Sequence, residues 1–163
     1  MAKNHAPKKA RKPGMVMGCY LPYQLAMISS RLSRALEGAY GKRHQLSRPE
    51  WRTMALLAES ASCLASDLVT RSGMDAVAVH RAVKKLESMG LVTRESNDQD
   101  RRSKPLTLTV EGQKVYEDVV PHALALENQL LQSLGTQERV ALVSALGKLM
   151  AMDFGTRGSS SRI

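Results

Sequence analysis

A chain of 163 residues, 43% apolar and 24% charged, has the size and composition of one globular domain. Its 24 Lys and Arg outnumber 15 Asp and Glu, for a net charge of +9, and the 4% of aromatic residues argue against single-strand binding by base stacking. No apolar run approaches the ~18 residues of a membrane helix, and the basic N-terminus lacks the apolar stretch of a secretory signal.

Residues 1–14 carry Lys3, Lys8, Lys9, Arg11 and Lys12 with no acid, and are expected to form a disordered basic tail. Leu21, Leu25, Ile28, Leu32, Ala35 and Ala39 recur at steps of three and four, predicting an amphipathic helix over roughly 20–43. Gly41, Lys42 and Arg43 mark its end. Ser47 and Glu50 then have the spacing of a capping box, in which each side chain satisfies a free amide of the next helix. Leu46 and Trp51 sit where a hydrophobic staple would, and Pro49 falls in the first turn, where a missing N–H costs nothing. That helix is predicted to reach about Glu59.

A third, short helix is predicted over 63–71, with Cys63 at its start and Ser72-Gly73 at its end. Asp75 caps a fourth, whose stripe Val79, Ala82, Val83, Leu86, Met89 keeps one helical face. Gly90 closes it. Leu91-Val92-Thr93-Arg94 and Leu106-Thr107-Leu108 read as two strands joined by a charged turn over 96–104. Thr109 caps a long helix over about 110–134 that Pro121 is expected to kink. Thr136 caps the last, with the stripe Leu142, Val143, Leu146, Leu149, Met150. Residues 155–163 read as a flexible tail. The order is mainly α with a small β-hairpin wing. Two helices joined by a tight turn and followed by a hairpin describe a winged helix-turn-helix.

The fourth helix carries the most telling chemistry. Opposite its apolar stripe lie Val77, Arg81, Lys84 and Ser88, flanked by His80 and Lys85. A solvated basic surface is the plainer reading of such a face. An exposed Val77 beside Arg and Lys makes better sense in a major groove, where Arg81 forks onto guanine and Val77 meets a thymine methyl. Lys84 and Lys85 would take phosphates. In the hairpin loop, Arg101 and Arg102, with Lys104, are placed to reach a narrow minor groove, and Asp100 to hold one of the arginines.

Residues 46–112 resemble the DNA-binding core of the MarR family (multiple antibiotic resistance regulators). The matching segments are Leu46-Ser47-Arg48-Pro49-Glu50-Trp51, Gly73-Met74-Asp75, Val79-His80-Arg81 and Leu86-Glu87-Ser88-Met89-Gly90-Leu91-Val92. Asp100-Arg101-Arg102 follows, then Leu106-Thr107-Leu108-Thr109-Val110-Glu111-Gly112, the most specific run. Val77 and Ala78 depart from it, standing where the family often has Ser or Thr. The resemblance implies one domain over 15–154, with 15–45 and 113–154 as dimerisation helices around the 46–112 core. It further implies a homodimeric, ligand-responsive regulator, cytoplasmic and nucleoid-associated, on double-stranded DNA with a pseudo-palindromic operator, most often repressing.

The resemblance also places a small-molecule site between the first, second and fifth helices. The groups available there are Gln24, Met27, Ser30, Arg31, His44, Trp51, Arg52 and Tyr116, with Tyr40, Met54 and His122 nearby. Arg and His around an apolar slot suit a small aromatic acid: a hydroxylated benzoate, a nicotinate or cinnamate, or its CoA thioester. Two alternatives stand beside this reading. One is a thiol switch through Cys19, since peroxide sensors resembling this family carry a Cys in the first helix. The other is a constitutive DNA-binding protein with no ligand. His5, His44, His80 and His122 are scattered without an i,i+4 pair, so no metal is expected. No phosphate-binding glycine loop, nucleophile elbow or paired carboxylate points to an enzyme or a cofactor. Two cysteines suit a reducing compartment.

Overall fold

The computed structural model describes residues 14–60, 62–94 and 104–153. A 3-10 turn, Met17–Cys19, leads into α1 (Leu21–His44), α2 (Arg48–Ala58), α3 (Ala65–Ser72) and α4 (Ala76–Ser88). β1 (Val92–Arg94) and β2 (Leu106–Leu108) follow, then α5 (Val110–Gln132) and α6 (Thr136–Met150). The fold is a mostly helical winged helix-turn-helix. The chain divides into two compact units, Met1–Tyr116 and Glu117–Ile163, with α5 running across the division.

In the first unit α2, α3 and α4 pack on one another, and the hairpin meets α2 through β2 and α4 through β1. The core is Met54 and Leu57 of α2, Leu68 of α3, Val79, Ala82, Val83 and Leu86 of α4, with Leu91, Val92 and Leu106 beneath the hairpin. Four of the five stripe residues of α4 are thus buried as the spacing requires, and Met89, at its C-cap, is half-buried. β1 and β2 pair antiparallel in the register Val92↔Leu108, Thr93↔Thr107, Arg94↔Leu106.

Two local expectations are corrected. Cys63 does not begin α3. It makes a one-residue third strand on β2, with Cys63 N to Leu106 O at 3.0 Å and Leu106 N to Cys63 O at 2.8 Å. In a two-stranded sheet β2 has one edge not paired with β1, and Leu106 uses it to bond Cys63. Thr136 does not cap α6. The cap is Gly135, whose amide donates to the Glu138 carboxylate at 2.7 Å, so Thr136 becomes the first helical residue. Pro121 lies inside a helix assigned without a break.

The α2 capping box forms as its spacing predicts. Ser47 N donates to Glu50 Oε2 at 2.6 Å, and the Ser47 hydroxyl donates to the same oxygen. Thr109 locks the start of α5 onto the end of α4. Its hydroxyl donates to Gly90 O at 2.7 Å and accepts from Gly112 N at 3.0 Å, while Thr109 N donates to Leu91 O at 3.1 Å. Gly112 lies so close to Leu91 that a Cβ there would stand 2.0 Å from its carbonyl oxygen.

The second unit is thinner. Ser133 turns the chain, its hydroxyl donating to Leu130 O at 2.7 Å, and Arg139 Nε donates to Leu134 O at 2.9 Å. No residue of α6 is buried, and Val140, Val143, Leu146 and Met150 are exposed.

Candidate nucleic-acid interface

The turn between α3 and α4 is built to be tight. Gly73 adopts a left-handed φ of +64°, a conformation that costs any residue with a Cβ. The Ser72 hydroxyl accepts from Met74 N at 3.1 Å, and Arg52 of α2 donates to Ser72 O at 3.1 Å. Asp75 then caps α4, its carboxylate accepting from Ala78 N at 2.8 Å. These bonds fix where the first turn of α4 points.

With Val79, Ala82, Val83 and Leu86 buried, the opposite face is open. Val77 is 60% exposed, an unusual degree for a valine on a helix whose other valines are enclosed. His80, Arg81 and Lys84 are exposed too, and none has a side-chain partner among the described residues. Ala78 is half-buried, drawn toward the cap. Three cationic or titratable groups with free donors, next to an apolar contact, form a surface complementary to phosphate and base edges.

Lys85 stands apart from this row. Its ammonium donates to Gln45 O at 2.9 Å and to Glu50 Oε2 at 3.3 Å, across to the end of α1 and the start of α2. The Glu50 carboxyl is nearly buried. Burial alone would raise its pKa, but the Ser47 hydroxyl and amide and the Lys85 charge together hold it below its ordinary value. The sequence assigned Lys85 to a phosphate; the structure ties it to the protein.

On the hairpin, Lys104 is exposed, whereas Arg101, Arg102 and Asp100 lie outside the described residues. Arg94, which sequence reasoning left unassigned, donates to Glu87 at 2.7 Å and so braces β1 against α4. The signal was present in the seven-residue separation of opposite charges across the Gly90 turn.

Three of the groups expected around a small molecule share one hollow. Gln24, Met27 and Arg31 line a hollow of about 530 Å3 with Gly18, Tyr23 and Ile28, where Gln24 donates to Gly18 O at 2.6 Å. Trp51 instead lies between Tyr40 and Tyr116, with ring centroids 5.9 Å away on each side and near-parallel planes. Offset stacking of this kind is stable without a guest. Tyr40 is buried, and burial, then Glu37, raises its phenol pKa. Arg52 is half-buried; burial and then Arg48 draw its pKa down. Ser30 and His44 are half-buried and line neither this hollow nor a second one of about 760 Å3. That second hollow, unforeseen from the sequence, is bounded by Arg34, Glu37, Gly38, Gly41, Lys42, the Gln45–Ser47 joint and Lys85. Cys19 is exposed and Cys63 buried. No described helix is long and apolar enough to cross a membrane.

A family model described as MarR family matches residues 44–103, which include α2 with its cap, the turn, α4 and β1. The chain is 26% identical over 127 residues to the HTH-type transcriptional regulator YdgJ of Bacillus subtilis, 78% of this chain and 75% of that one. A MarR-family transcriptional regulator from Silicibacter pomeroyi superposes with a TM-score of 0.72 at 29% identity, covering 83% of this chain and 91% of its own. The DNA-binding segment is thus of the MarR type, and the chain is similar to MarR-family regulators along most of its length. It is a transcriptional regulator, and its relatives are regulators rather than enzymes. A shorter match is to the homoprotocatechuate degradative operon repressor of Escherichia coli, 36% identical over 75 residues, 46% of this chain and 51% of that one.

Proposed function

We propose that this MarR-type regulator is a homodimeric repressor that reads a pseudo-palindromic operator with α4 and grips the flanking backbone with the hairpin. The observation that carries the reading is the exposed row Val77, His80, Arg81, Lys84 opposite a fully buried stripe on the helix after a tight turn. Arg81, in the N-terminal half of α4, reads a base edge. Lys84 and Lys104, with Arg101 and Arg102 of the loop, supply phosphate and minor-groove contacts. Two copies place their α4 helices about one helical turn, ~10 bp, apart on one face of the duplex. The homoprotocatechuate repressor supports a repressing sign.

The exposed apolar residues of α1 (Leu21, Leu25, Ile28) and of α6 (Val140, Val143, Leu146) support self-association. A two-fold dimer covers such surfaces with copies of themselves. On this reading 15–154 works as one domain, its 15–45 and 113–154 helices holding two DNA-reading cores. The effector is a small aromatic acid. Proteins sharing the fold support that class: NadR in complex with 4-hydroxyphenylacetate, at 23% identity, and CouR from Rhodococcus jostii RHA1 bound to p-coumaroyl-CoA, at 19%. The hollow at Gln24, Met27 and Arg31 offers one cation and one amide beside Tyr23 and Ile28, chemistry that suits a carboxylate on a ring.

The deciding experiment is selection of duplex DNA by the purified protein, repeated with hydroxybenzoates, nicotinates, cinnamates and their CoA thioesters. A palindromic consensus released by one of these acids is expected. Enrichment of no sequence overturns the operator reading. Release by a thiol oxidant that requires Cys19, with no response to any acid, replaces the ligand with a redox signal.

A further inference from the structure

Building on α4 as the DNA-reading helix, we propose that Lys85 is a positioning residue for sequence readout. It acts by tying α4 to the joint between α1 and α2, not by touching phosphate. Its ammonium reaches two groups on that joint, Gln45 O at 2.9 Å and Glu50 Oε2 at 3.3 Å, which lie 40 and 35 residues away in the chain.

Both acceptors are fixed in advance. Gln45 is the C-cap of α1 and the one non-glycine residue with positive φ among the described residues, at 54°. That left-handed conformation costs a side-chain-bearing residue on the order of 1 kcal/mol, and its amide closes α1 by donating to Tyr40 O. Glu50 is held by the Ser47 amide and hydroxyl on the same oxygen that accepts Lys85. Lys85 therefore meets a rigid carbonyl and a rigid carboxylate, and a charge-assisted bond to fixed partners is directional. Beside it lies the 760 Å3 hollow. Lys85 is the residue of α4 that lines it, together with the α1–α2 joint that accepts its two bonds.

The leverage follows from helix geometry. Apolar burial fixes how deep α4 lies but is non-directional. Val77 is eight residues before Lys85, about 12 Å along the axis. A tilt of ~10° pivoting at Lys85 moves that end by roughly 2 Å, well beyond what a hydrogen bond to a base edge tolerates. Lys84, one residue earlier, is exposed without a partner and has no such connection.

The test compares Lys85→Met, Lys85→Arg and Lys84→Ala on a duplex selected by the wild-type protein and on a scrambled duplex, over a series of salt concentrations. Lys85→Met is expected to lose about tenfold on the selected duplex, the value of one base contact, with scrambled binding and its salt slope unchanged. Lys85→Arg, which keeps charge and donors, restores most of the preference. Lys84→Ala loses on both duplexes and lowers the slope by about one. The Lys85 side chain is 44% exposed, so the methionine variant should fold; Lys85→Gln, checked by its melting curve, replaces it if it does not. A Lys85→Met protein that loses equally on both duplexes with a reduced slope makes Lys85 a phosphate contact and overturns the proposal. So does one that matches wild type on both. A wild-type protein without preference for its own selected duplex overturns the DNA reading itself, a result distinct from either.

Discussion

α4 and α6 are helices of 13 and 15 residues, each with an apolar stripe at helical spacing, and they end in opposite circumstances. Four residues of α4 are buried, and none of α6 is. A periodic stripe therefore states that a helix needs a partner, and says nothing of whether the partner is in the same chain. For α4 the partner is the α2–α3 pair and the hairpin. For α6 we propose that it is a second copy. The predictions below break or sharpen that contrast, beginning with the contact that closes the first unit.

The largest effect is expected at Gly112. A methyl there would meet the backbone carbonyl of Leu91 at 2.0 Å, and a backbone atom cannot rotate away. Gly112→Ala should cost more than about 3 kcal/mol, because α5 must lift from the Thr109–Gly90–Leu91 bonds that seat it. A melting midpoint within a few degrees of wild type contradicts this account of the joint.

The second effect tests the contrast directly. Leu86→Ala empties a fully buried site on α4 and should cost about 2–5 kcal/mol at any protein concentration. Leu146→Asp on α6 changes a side chain already 38% exposed in one protomer, so its cost should appear in assembly. The expected result is a monomer by sedimentation at concentrations where wild type is dimeric, with a melting midpoint that no longer rises with concentration. A Leu146→Asp protein that remains dimeric removes α6 from the interface.

Exposure on α4 and exposure on α6 should also differ in kind. Arg81→Ala should leave the dimer intact and cost ~1–3 kcal/mol on the operator, relaxing preference at one base pair per half-site. Titration on operator and scrambled duplexes checks it. Equal loss on both would put Arg81 on phosphate.

These contrasts show which parts of the molecule were legible in sequence. The α4 stripe, the Asp75 cap and the Ser47–Glu50 box were readable because each is settled within about one helical turn. Cys63 was not, because a one-residue strand has no period, and its partner, Leu106, is distant in the chain. The Gly135 cap was missed because Thr136 carries the favoured hydroxyl, whereas the carboxylate three residues after Gly135 decided the boundary. Lys85 looked like its neighbour Lys84 because both are lysines on one flank. Only the fold brings the Gln45 carbonyl and Glu50 to one of them. The stacking of Tyr40, Trp51 and Tyr116 was hidden for a similar reason, since no spacing announces it.

The smallest effect compares one device in two settings. Glu50 and Glu138 each accept the amide three residues earlier, Ser47 N and Gly135 N, yet Glu50 is 7% exposed and Glu138 is open to solvent. Glu50→Gln keeps an acceptor for the Ser47 amide but leaves Lys85 without its counter-charge in a partly dry site, and should cost about 1–2 kcal/mol. Glu138→Gln should stay within about 0.5 kcal/mol. The acid limb carries the sign. The Glu50 pKa lies below its ordinary value, so the folded state binds its proton less readily than the unfolded chain does. Its contribution is therefore complete above about pH 5 and is lost as pH falls through the folded value. Denaturant titrations of wild type and Glu50→Gln should run apart near neutrality and converge on acidification. Curves that stay parallel down to low pH would mean that the carboxylate's charge contributes nothing there, and that the neutral hydrogen bonds alone hold the joint.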